Sequence, residues 1–400
     1  MNIKQSIDQT AYDYIIGGAG LAGLSLAYRM FKAGLLNNKS LLLIDNDLKE
    51  HNDRTWSFWA KDIRKITDCP PDESWDQAIL KSDKFNLKVA LAPYTYHSIN
   101  GLSYYTFIKE RLKEAKTIDW LQASILDYRS EDRTVQTSVG KLNYSSVFFP
   151  SHYNSRDIAA FNTAQAPTFM WQHFLGWHIQ TQDERFTEES FTYMDMGIKQ
   201  VENGLSFFYI LPYSKNKALI EYTLFSEALL EKESYEKQVK HYIKDVLKLQ
   251  NYQIVEEEYN KIPMSTAIQY PRPKDASICP IGTLSGSVKA STGYSFVRAQ
   301  KQTQFIVEQL KKGNVKKLRY SFSKRHKLYD AILLQVMENG TLSGKEAFES
   351  LYKNNPFQSL LKFLDEETSL WEEFKIINSV PKRPFLAATV KVMKRIILQR

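Results

Sequence analysis

The sequence predicts an α/β fold with three parts: an N-terminal β-α-β unit, a strand-rich middle and a helical C-terminal region. Three observations support this prediction. Within the first 45 residues, an apolar run ending in glycines is followed by a helical pattern and a second apolar run. The middle of the chain alternates between polar and apolar residues, which is typical of strands. From Gln300 onward the apolar residues recur at helical intervals.

The β-α-β unit follows from the spacing of its apolar residues. Tyr12 to Ile16 form a short apolar strand, and Leu21 to Phe31 repeat apolar residues at helical intervals. Gly34 ends the helix. Ser40 to Asp45 form a second buried strand that closes on an acid. The sequence therefore predicts strand, tight turn, helix and strand in that order.

A glycine motif, Gly18-Ala19-Gly20-Leu21-Ala22-Gly23, lies between this strand and helix. In a G-x-G-x-x-G motif the glycines permit a tight turn, close approach of a pyrophosphate and close packing of helix on strand. The phosphates then meet the helix N-terminus. Asp45, 22 residues beyond the last glycine, is placed to bind ribose hydroxyls. The pattern predicts a Rossmann-like dinucleotide site, which either FAD or NAD would fit. A late loop near Gly282 is typical of hydroxylase-type flavoproteins.

The rest of the chain contains two clearer helices and one hairpin. The helices are expected at Tyr104 to Ala115 and at Tyr235 to Lys248. Two apolar runs, 204–211 and 218–225, flank the polar turn 214–217 and predict a β-hairpin. The sequence has no internal repeat.

Composition excludes several classes of protein. Hydrophobic residues make up 43% and charged residues 24%, which excludes intrinsic disorder. No apolar run approaches the roughly 18 residues that span a bilayer. The N-terminus lacks a signal-peptide pattern, so we expect the cytoplasm, with Cys69 and Cys279 as buried reduced thiols. Aromatic residues reach 13%, which suits a conjugated ligand or many packed strands.

Six stretches, in order along nearly the whole chain, resemble the bacterial lycopene beta-cyclases of the hydroxylase-like flavoprotein superfamily. The blocks at 53–59 and 291–296 are specific, whereas the glycine motif is shared with many unrelated proteins. The six stretches are Tyr14-Ile15-Ile16-Gly17-Gly18-Ala19-Gly20, Asp53-Arg54-Thr55-Trp56-Ser57-Phe58-Trp59, Gln172-His173-Phe174-Leu175-Gly176-Trp177, Leu219-Ile220-Glu221-Tyr222-Thr223-Leu224-Phe225-Ser226, Ile262-Pro263-Met264 and Ser291-Thr292-Gly293-Tyr294-Ser295-Phe296.

The resemblance implies cyclisation of the ends of lycopene, by way of gamma-carotene, into β-ionone rings without net redox change. It implies bound FAD in its reduced form and NAD(P)H as reductant. It also implies an FAD-binding domain at residues 1–60, 98–160 and 265–310, with an inserted antiparallel-sheet substrate domain at 61–97 and 161–264. Residues 311–400 form the helical C-terminal region.

The resemblance assigns FAD contacts to the glycine motif and to other positions. Arg54 corresponds to a basic residue near the pyrophosphate, and Gly282, Gly293 and Tyr294 to the late loop against the flavin. The sequence departs from the family at 149–152 and at Asn260, where the family has an Asp-containing segment and a glycine. The predicted FAD contacts are Gly18, Gly20, Leu21, Ala22, Gly23, Asp45, Arg54, Gly282, Gly293 and Tyr294.

Glu221 is the candidate acid. Ring closure requires a proton on a terminal double bond, so a carboxylic acid must stay protonated near neutral pH. Burial among apolar side chains raises the pKa of a carboxylic acid. In a strand, Glu221 shares its face with Leu219, Thr223 and Phe225, although an edge-strand glutamate in water is the alternative.

A second acidic segment resembles a plant-cyclase string more closely. Residues 363–370 read Phe-Leu-Asp-Glu-Glu-Thr-Ser-Leu, whereas the plant string is Phe-Leu-Glu-Glu-Thr-Ser-Leu. The plant string lies between a Leu-Pro strand and the Ile-Pro-Met strand, which here surround Glu221. The order of segments therefore favours Glu221, and we expect residues 363–370 to cap or solvate a helix.

Aromatic side chains are the candidate stabilisers of the cation. Tryptophan and tyrosine faces attract cations by about 0.5–2 kcal/mol each. We expect Trp56, Trp59, Trp171 and Trp177 to line the substrate site, with His173 as a possible base, although each also suits a protein core. His173 and His178 are five residues apart, which is not the spacing of a helical metal pair, so no metal site is predicted.

The C-terminal region is the candidate membrane contact. Residues 301–400 hold 19 lysines and arginines against 10 aspartates and glutamates, which accounts for the whole net charge of +8. Segments 382–385 and 390–398 combine bases with apolar residues, as an interfacial helix does, and lycopene is insoluble in water. We expect peripheral attachment to a lipid surface; a solvated helix end is the alternative. No nucleic-acid module accompanies the charge, and oligomeric state is not predicted.

Two other functions suit the same residues. A flavin monooxygenase acting on an apolar substrate is one, because the fold supports that chemistry as well. A flavin-binding carotenoid carrier without enzymatic activity is the other. Product mass separates cyclisation from hydroxylation, since only hydroxylation adds an oxygen.

Overall fold

The computed structural model describes residues 2–151, 169–266 and 276–398. Within these ranges the chain forms three β-sheets and a series of helices. The strands are β1 (Asn2–Lys4), β2 (Ala11–Gly17), β3 (Leu41–Asp45), β4 (Thr55–Ala60), β5 (Glu73–Trp75), β6 (Gln77–Ser82), β7 (Phe85–Ala90), β8 (Thr95–Asn100), β9 (Ile118–Gln122), β10 (Ile125–Arg129), β11 (Thr134–Thr137), β12 (Gly140–Pro150), β13 (Phe169–Thr181), β14 (Ser190–Asp195), β15 (Leu205–Ser214), β16 (Lys217–Ser226) and β17 (Tyr252–Ser265).

The described helices concentrate after residue 295, as the helical pattern from Gln300 predicts. A π-helical turn, Tyr242–Val246, continues α3, so the helix predicted at 235–248 is regular only to His241. The α-helices are α1 (Leu21–Lys32), α2 (Gly101–Leu112), α3 (Lys232–His241), α4 (Phe296–Lys311), α5 (Lys324–Glu338), α6 (Gly344–Asn354), α7 (Phe357–Leu364), α8 (Leu370–Asn378) and α9 (Lys382–Leu398).

The first sheet has the order β1-β9-β3-β2-β12-β11-β10. Its first five strands are parallel, and β11 and β10 join them as an antiparallel extension. β2, α1 and β3 form the predicted β-α-β unit, which is confirmed. α1 buries its apolar face, including Leu24 and Met30, because it packs between this sheet and α4.

The second sheet has the order β17-β13-β16-β15-β14-β6-β7. It is antiparallel apart from the pairing of β14 with β6. The predicted hairpin is present as β15 and β16, where Ser214 pairs with Lys217 across a two-residue turn. Every residue of β16 after Lys217 is buried, because neighbouring strands flank it and both of its faces are covered.

A third, small sheet has the order β4-β8-β5. It connects the other two through aromatic packing. Tyr96 of β8 stacks on Phe191 of the second sheet with centroids 4.1 Å apart, and Phe58 of β4 stacks on Phe296 of α4 at 4.3 Å. The small sheet therefore brings β4, which follows the nucleotide-binding unit, against the face of the second sheet that carries Glu221.

The helices after residue 323 pack on the second sheet and on one another. α9 lies along α5 and buries Ala388 in a cluster with Val336. It begins at Lys382, eight residues before the predicted terminal helical segment. No described helix is both long enough and apolar enough to cross a bilayer. Cys69 and Cys279 are free and buried. The division into three regions with the stated boundaries stays a prediction.

Candidate active site

The glycine motif forms a tight turn between β2 and α1. Gly18 has a φ of 107°, which favours glycine. A side chain at Gly23 would overlap the carbonyl oxygen of Gly18, so only glycine permits this approach of helix to strand. Gly20, at the start of α1, has open space where a side chain would be and provides no side-chain cap. The first N–H groups of the helix therefore remain available to an anion.

Asp45 lies at the end of β3 beside this turn. Its carboxylate accepts hydrogen bonds from the N–H groups of Ala19, at 2.7 Å, and Asp47, at 3.0 Å. The side chain is buried and holds the glycine turn against β3. Its predicted contact with ribose hydroxyls stays a prediction.

The late loop reaches the start of α1. Gly282 has a φ of 60°, and a Cβ added to it would lie 3.0 Å from the Cβ of Ala22. Its N–H donates to the side-chain oxygen of Gln302 at 2.9 Å, which fixes the loop on α4. Gly282, one of the residues predicted from the late loop, therefore lies against the helix that follows the glycine motif.

Three buried polar atoms near Gly293 have no hydrogen-bond partner among the described residues: Gln172 Oε1, Ser291 Oγ and Thr292 Oγ1. All three residues line the same cavity. A side chain at Gly293, which has a φ of 73°, would overlap the Gln172 amide. Buried polar groups normally have partners, so these unpartnered atoms fit the polar edge of a flavin ring.

Arg54, immediately before β4, also lines this cavity. Its guanidinium donates to the carboxylate of Asp53 through Nε at 3.1 Å and Nη2 at 2.8 Å. Tyr105 of α2 donates to the other oxygen of Asp53 at 2.8 Å. The structure thus places a fixed cation near the predicted flavin site; its contact with a pyrophosphate stays a prediction.

The cavity has a volume of about 700 Å³. It extends from Arg54, Ser291 and Thr292 across the second sheet to the C-terminal helices. Apolar and aromatic side chains make up most of its wall. They include, from the second sheet, Phe174, Met194, Phe207, Tyr209, Phe225 and Ile262 and, from the helices, Phe296, Leu333, Phe348, Leu351, Leu360, Phe363, Ile376, Ile377, Phe385 and Leu386.

Glu221 lies on β16 in the wall of this cavity. It pairs with Tyr209 of β15 on one side and with Gly176 of β13 on the other. Thr223 and Phe225 share its face, as the two-residue period predicts. The side chain is 9% exposed, and the hydroxyl of Thr223 donates to its carboxyl group.

Burial raises the pKa of Glu221 to about 8, from an ordinary value of 4.5. The hydrogen bond from Thr223 opposes this shift, and the nearby charge of Glu258 adds to it. Desolvation is the largest cause, because the apolar cavity disfavours the charged form. Most Glu221 side chains therefore carry a proton at pH 7, as the chemistry of an acid catalyst requires.

Glu258 is a second buried carboxylate in the same row of the sheet. It lies opposite Gly176 on β17, so Gly176 separates it from Glu221. It accepts hydrogen bonds from the N–H and hydroxyl of Thr55, and pairs with Nε2 of His178 at 2.9 Å. Neither Glu258 nor Gly176 was predicted as a site residue, although an isolated glycine within a strand signals close approach of another group.

A chain of three tyrosine hydroxyls crosses the cavity wall. Tyr209, beside Glu221, lies 2.9 Å from Tyr96, and Tyr96 lies 2.7 Å from Tyr294 of the late loop. Burial raises the pKa of all three phenols well above the usual value, so they stay neutral. They link the surroundings of Glu221 to the predicted flavin loop without adding a charge.

Of the four predicted tryptophans, one lines the cavity and a second lies behind its wall. Trp56 lines the cavity and packs edge-on against Tyr104 and Tyr105. Trp59 lies behind the wall: it contacts Tyr294 with centroids 5.0 Å apart, and its Nε1 donates to Asp365 at 2.7 Å. Trp59 therefore supports a lining residue and does not itself line the main cavity.

Trp171, His173 and Trp177 lie on the opposite face of β13, so their predicted place in the substrate site is corrected. In β13, Gln172 and Phe174 line the cavity, and the alternate residues point away from it. His173 is buried between Tyr235 of α3 and Ser226, and burial lowers its pKa to about 4. This position removes it as the base that acts on a substrate in the cavity.

The acidic segment 363–370 holds the C-terminal helices in place. Glu366 pairs with Arg298, and Glu367 with Lys301 at 3.3 Å. Ser369 forms a capping box at the start of α8 with Glu372, as the predicted capping role requires. Burial raises the pKa of Asp365 to about 7, but its carboxyl accepts from Trp59 outside the main cavity.

Metal-binding side chains do not cluster in the part of the chain that the structure describes: no group of three or more His, Cys, Asp and Glu residues is suited to hold an ion.

The fold is similar to solved flavoproteins at low sequence identity. A geranylgeranyl bacteriochlorophyll reductase-like protein from Thermoplasma acidophilum has a TM-score of 0.65 at 11% identity, over 96% of this chain and 99% of that one. A flavoprotein/dehydrogenase from Cytophaga hutchinsonii has a TM-score of 0.64 at 11% identity, again over 96% of this chain and 99% of that one. A flavin-dependent brominase has a TM-score of 0.55 at 12% identity, over 98% of this chain and 100% of that one. The predicted fold class is therefore confirmed.

The sequence itself matches one protein family. No curated protein matches it significantly. The family model described as lycopene cyclase protein matches residues 13–390, which include the glycine motif, Glu221, the late loop and most of the C-terminal helices. Because this match covers nearly the whole chain, the protein belongs to the lycopene cyclase family.

Proposed function

We propose that the protein is an FAD-dependent lycopene beta-cyclase. It converts the ψ-ends of lycopene, through gamma-carotene, into the β-ionone rings of beta-carotene, which is an isomerisation. The observation that carries this proposal is Glu221, a carboxyl group that burial keeps protonated in an apolar cavity of about 700 Å³. Membership of the family supports the substrate class.

Glu221 begins the reaction by donating its proton to the terminal double bond of the substrate. The resulting tertiary cation is attacked by a second double bond, which closes the ring. Phe174, Phe207 and Phe225 exclude water from this part of the cavity, and aromatic faces attract a cation by about 0.5–2 kcal/mol each. The walls therefore protect and stabilise the cation.

Removal of one proton completes the ring and balances the first step. The carboxylate left at Glu221 after donation faces the cavity, whereas His173 lies on the other side of the sheet. Asp330 also lines the cavity, but it is paired with Lys289 at 2.9 Å. We therefore assign the return of the proton to Glu221, which restores the acid for the next ring.

The residues for FAD are the glycine motif and the late loop. The N-terminus of α1 would hold the pyrophosphate, and the unpartnered atoms of Gln172, Ser291 and Thr292 would meet the ring edge. When bound and reduced, with NAD(P)H as reductant, FAD would supply negative charge near the cation. This charge gives a reason for a reduced cofactor in a reaction without net redox change.

The test is conversion of lycopene by the wild-type protein and by Glu221→Gln in lycopene-accumulating cells. Wild type should turn red cells orange-yellow. The variant should lose about 10²–10⁴-fold in rate, as for loss of a general acid, and keep its flavin. Glu257→Gln is the matched control, because Glu257 lies on the opposite face of β17 and is exposed.

The products decide between the candidate chemistries. A product with the mass of lycopene supports cyclisation, whereas a product heavier by one oxygen would show a monooxygenase. Cells that stay red despite folded, flavin-loaded wild-type protein would contradict the proposal, as would full activity of Glu221→Gln.

A further inference from the structure

The cavity that contains Glu221 reaches the surface between α8 and α9. Ile377 of α8 and Leu386 of α9 both line the cavity and are also solvent-exposed, Leu386 by 63%. A residue that lines a cavity and is open to solvent lies at its opening. We call this opening, with the exposed side chains of the two helices, the α8–α9 mouth.

The mouth is surrounded by exposed apolar side chains. Of the 18 exposed large hydrophobic residues in the described part of the chain, eight belong to these two helices. In α8 they follow one face and include Trp371, which is 64% exposed and stacks on Phe374. Contiguous apolar patches of this kind are rare on surfaces that meet only water. The eight residues are Leu370, Trp371, Phe374, Ile377, Leu386, Val390, Met393 and Ile397.

α9 has a different partner on its other face. Ala388 is buried in the cluster that α9 shares with α5, and Val392 is also buried, whereas Leu386, Val390 and Met393 are exposed. The outward residues recur at intervals of three or four, which places them on one stripe. The fold of the chain therefore leaves this second apolar stripe uncovered.

Positive charge accompanies the exposed apolar residues. α9 contains five lysines and arginines and no acidic residue. In α8, Lys375 lies over the ring of Trp371 at 5.5 Å, and the two glutamates are paired, Glu372 with Lys362 and Glu373 with Arg325. Basic residues beside an apolar stripe are typical of helices that lie in the interface of an anionic bilayer.

We propose that the α8–α9 mouth docks on an anionic lipid surface and takes an apolar substrate from that surface directly into the cavity. The identity of the substrate rests on the proposed function, whereas docking does not. The stacked pair Trp371 and Phe374 would lie among the lipid headgroups, where aromatic rings are favoured. The mouth would then open onto the bilayer, so the substrate would not cross water.

The first test measures co-flotation of the full-length, flavin-loaded protein with vesicles. Vesicles of phosphatidylcholine mixed with phosphatidylglycerol are compared with phosphatidylcholine alone. Wild type should bind the anionic vesicles more tightly. The double variant Trp371→Glu/Val390→Glu, here called the mouth variant, should lose about tenfold or more in binding, because two exposed apolar side chains that do not line the cavity leave the lipid.

The control is the double variant Ile254→Glu/Val255→Glu. These two apolar residues of β17 are each 47% exposed, but they lie outside the cavity wall. This variant should bind vesicles like wild type. Equal binding by wild type and the mouth variant would overturn the proposal. So would a wild-type dimer that the mouth variant dissociates, because a second copy of the chain would then cover this face.

The second test separates docking from chemistry. The mouth variant should convert lycopene dispersed in detergent at the wild-type rate and lycopene held in vesicles at about a tenth of it or less. Equal loss with both substrates would show damage to the active site and overturn the proposed route. If wild type converts neither substrate, the proposed function fails, while the flotation result still decides whether the mouth binds lipid.

Discussion

Gly176 lies directly opposite Glu221 in the register of β13 and β16, and its missing side chain leaves room for Cβ and Cγ of Glu221. The next strand places Glu258 on the other side of the same glycine. One glycine therefore separates a protonated acid from a hydrogen-bonded carboxylate, in a row that continues to Tyr209.

Gly176→Ala should lower the rate of catalysis more than it lowers the stability of the fold. An added Cβ would lie 2.7 Å from Leu219 Cδ1 and 3.3 Å from the Cβ of Glu221, so both side chains must move. Overpacking of this kind costs about 1–3 kcal/mol of stability. We expect the rate of lycopene conversion to fall at least tenfold, by analogy with small displacements of catalytic groups.

Thermal unfolding and conversion assays check this prediction together. The control is Leu175→Met, a volume-conserving change in the same strand that faces away from Glu221. If Gly176→Ala keeps the wild-type rate, the space at this position does not matter for the acid.

The activity should decrease as the pH rises through about 8, which is the pKa of Glu221. The reacting form is the protonated carboxyl, so deprotonation removes the proton donor. The measurement is the pH profile of kcat on detergent-dispersed substrate, with flavin content recorded at each pH. A profile that is flat from pH 7 to about 9 would contradict the assignment of Glu221 as the acid.

Glu258→Gln should move this decrease to lower pH. The charge of Glu258 raises the pKa of Glu221, so its removal makes Glu221 easier to deprotonate. The other groups around Glu258 are His178 on β13, Arg54 before β4 and Tyr213 on β15. Glu258 acts here as a positioning residue, because it also fixes Thr55.

The shape of the profile separates this effect from simple damage. A structural defect lowers the rate equally at all pH values, whereas the electrostatic effect shifts the midpoint. Glu258→Asp, which keeps the charge, should restore the midpoint toward that of wild type. Glu257→Gln should leave it unchanged, since Glu257 pairs with Lys232 on the other face of the sheet.

The glycine motif predicts two different defects in FAD binding. Gly23→Ala should impair both folding and flavin content, because the new Cβ would overlap the backbone of Gly18. Gly20→Ala meets no atom within 4 Å, so the apoprotein should unfold at the wild-type temperature. Its flavin content should nevertheless fall, since the second glycine lets the backbone approach the pyrophosphate.

Flavin absorbance after purification and thermal unfolding of the apoproteins test these two variants. Full flavin content in Gly20→Ala would argue against a pyrophosphate at this turn. A stable, flavin-loaded Gly23→Ala would show that the turn can rearrange at little cost.

Local patterns predicted the parts of the structure that depend on short spacing. The β-α-β unit follows from glycine spacing and apolar period, and the face shared by Glu221, Thr223 and Phe225 follows from the two-residue period of a strand. The hairpin of β15 and β16 follows from the polar turn between two apolar runs.

The sequence did not predict which face of β13 meets the cavity. Trp171, His173 and Trp177 share one face by period alone, but both faces of this strand carry apolar side chains and are largely buried. The packing of α3 on the face that carries Trp177 decides which face of β13 is turned away from the cavity. Glu258 was missed for a related reason: its place beside Gly176 depends on the register of β13 with β17, which are about 80 residues apart.

Glu221 should also make the stability of the protein depend on pH. Its pKa is raised in the folded state, from 4.5 to about 8, so the folded protein keeps a proton that the unfolded chain loses. Below pH 4.5 both states are protonated and burial of the neutral acid costs no ionisation energy. Between pH 4.5 and about 8 the unfolded chain gains free energy by deprotonating, and stability falls.

The loss between these limits is on the order of 5 kcal/mol for this one group. Glu221→Gln removes the titrating group and keeps the shape of the side chain, so its stability relative to wild type should rise from pH 5 to pH 9. Denaturant unfolding of both proteins at these two pH values measures the difference. Because all other groups are shared, a constant difference would mean that Glu221 has an ordinary pKa, and the proton donor would have to be sought elsewhere in the cavity wall.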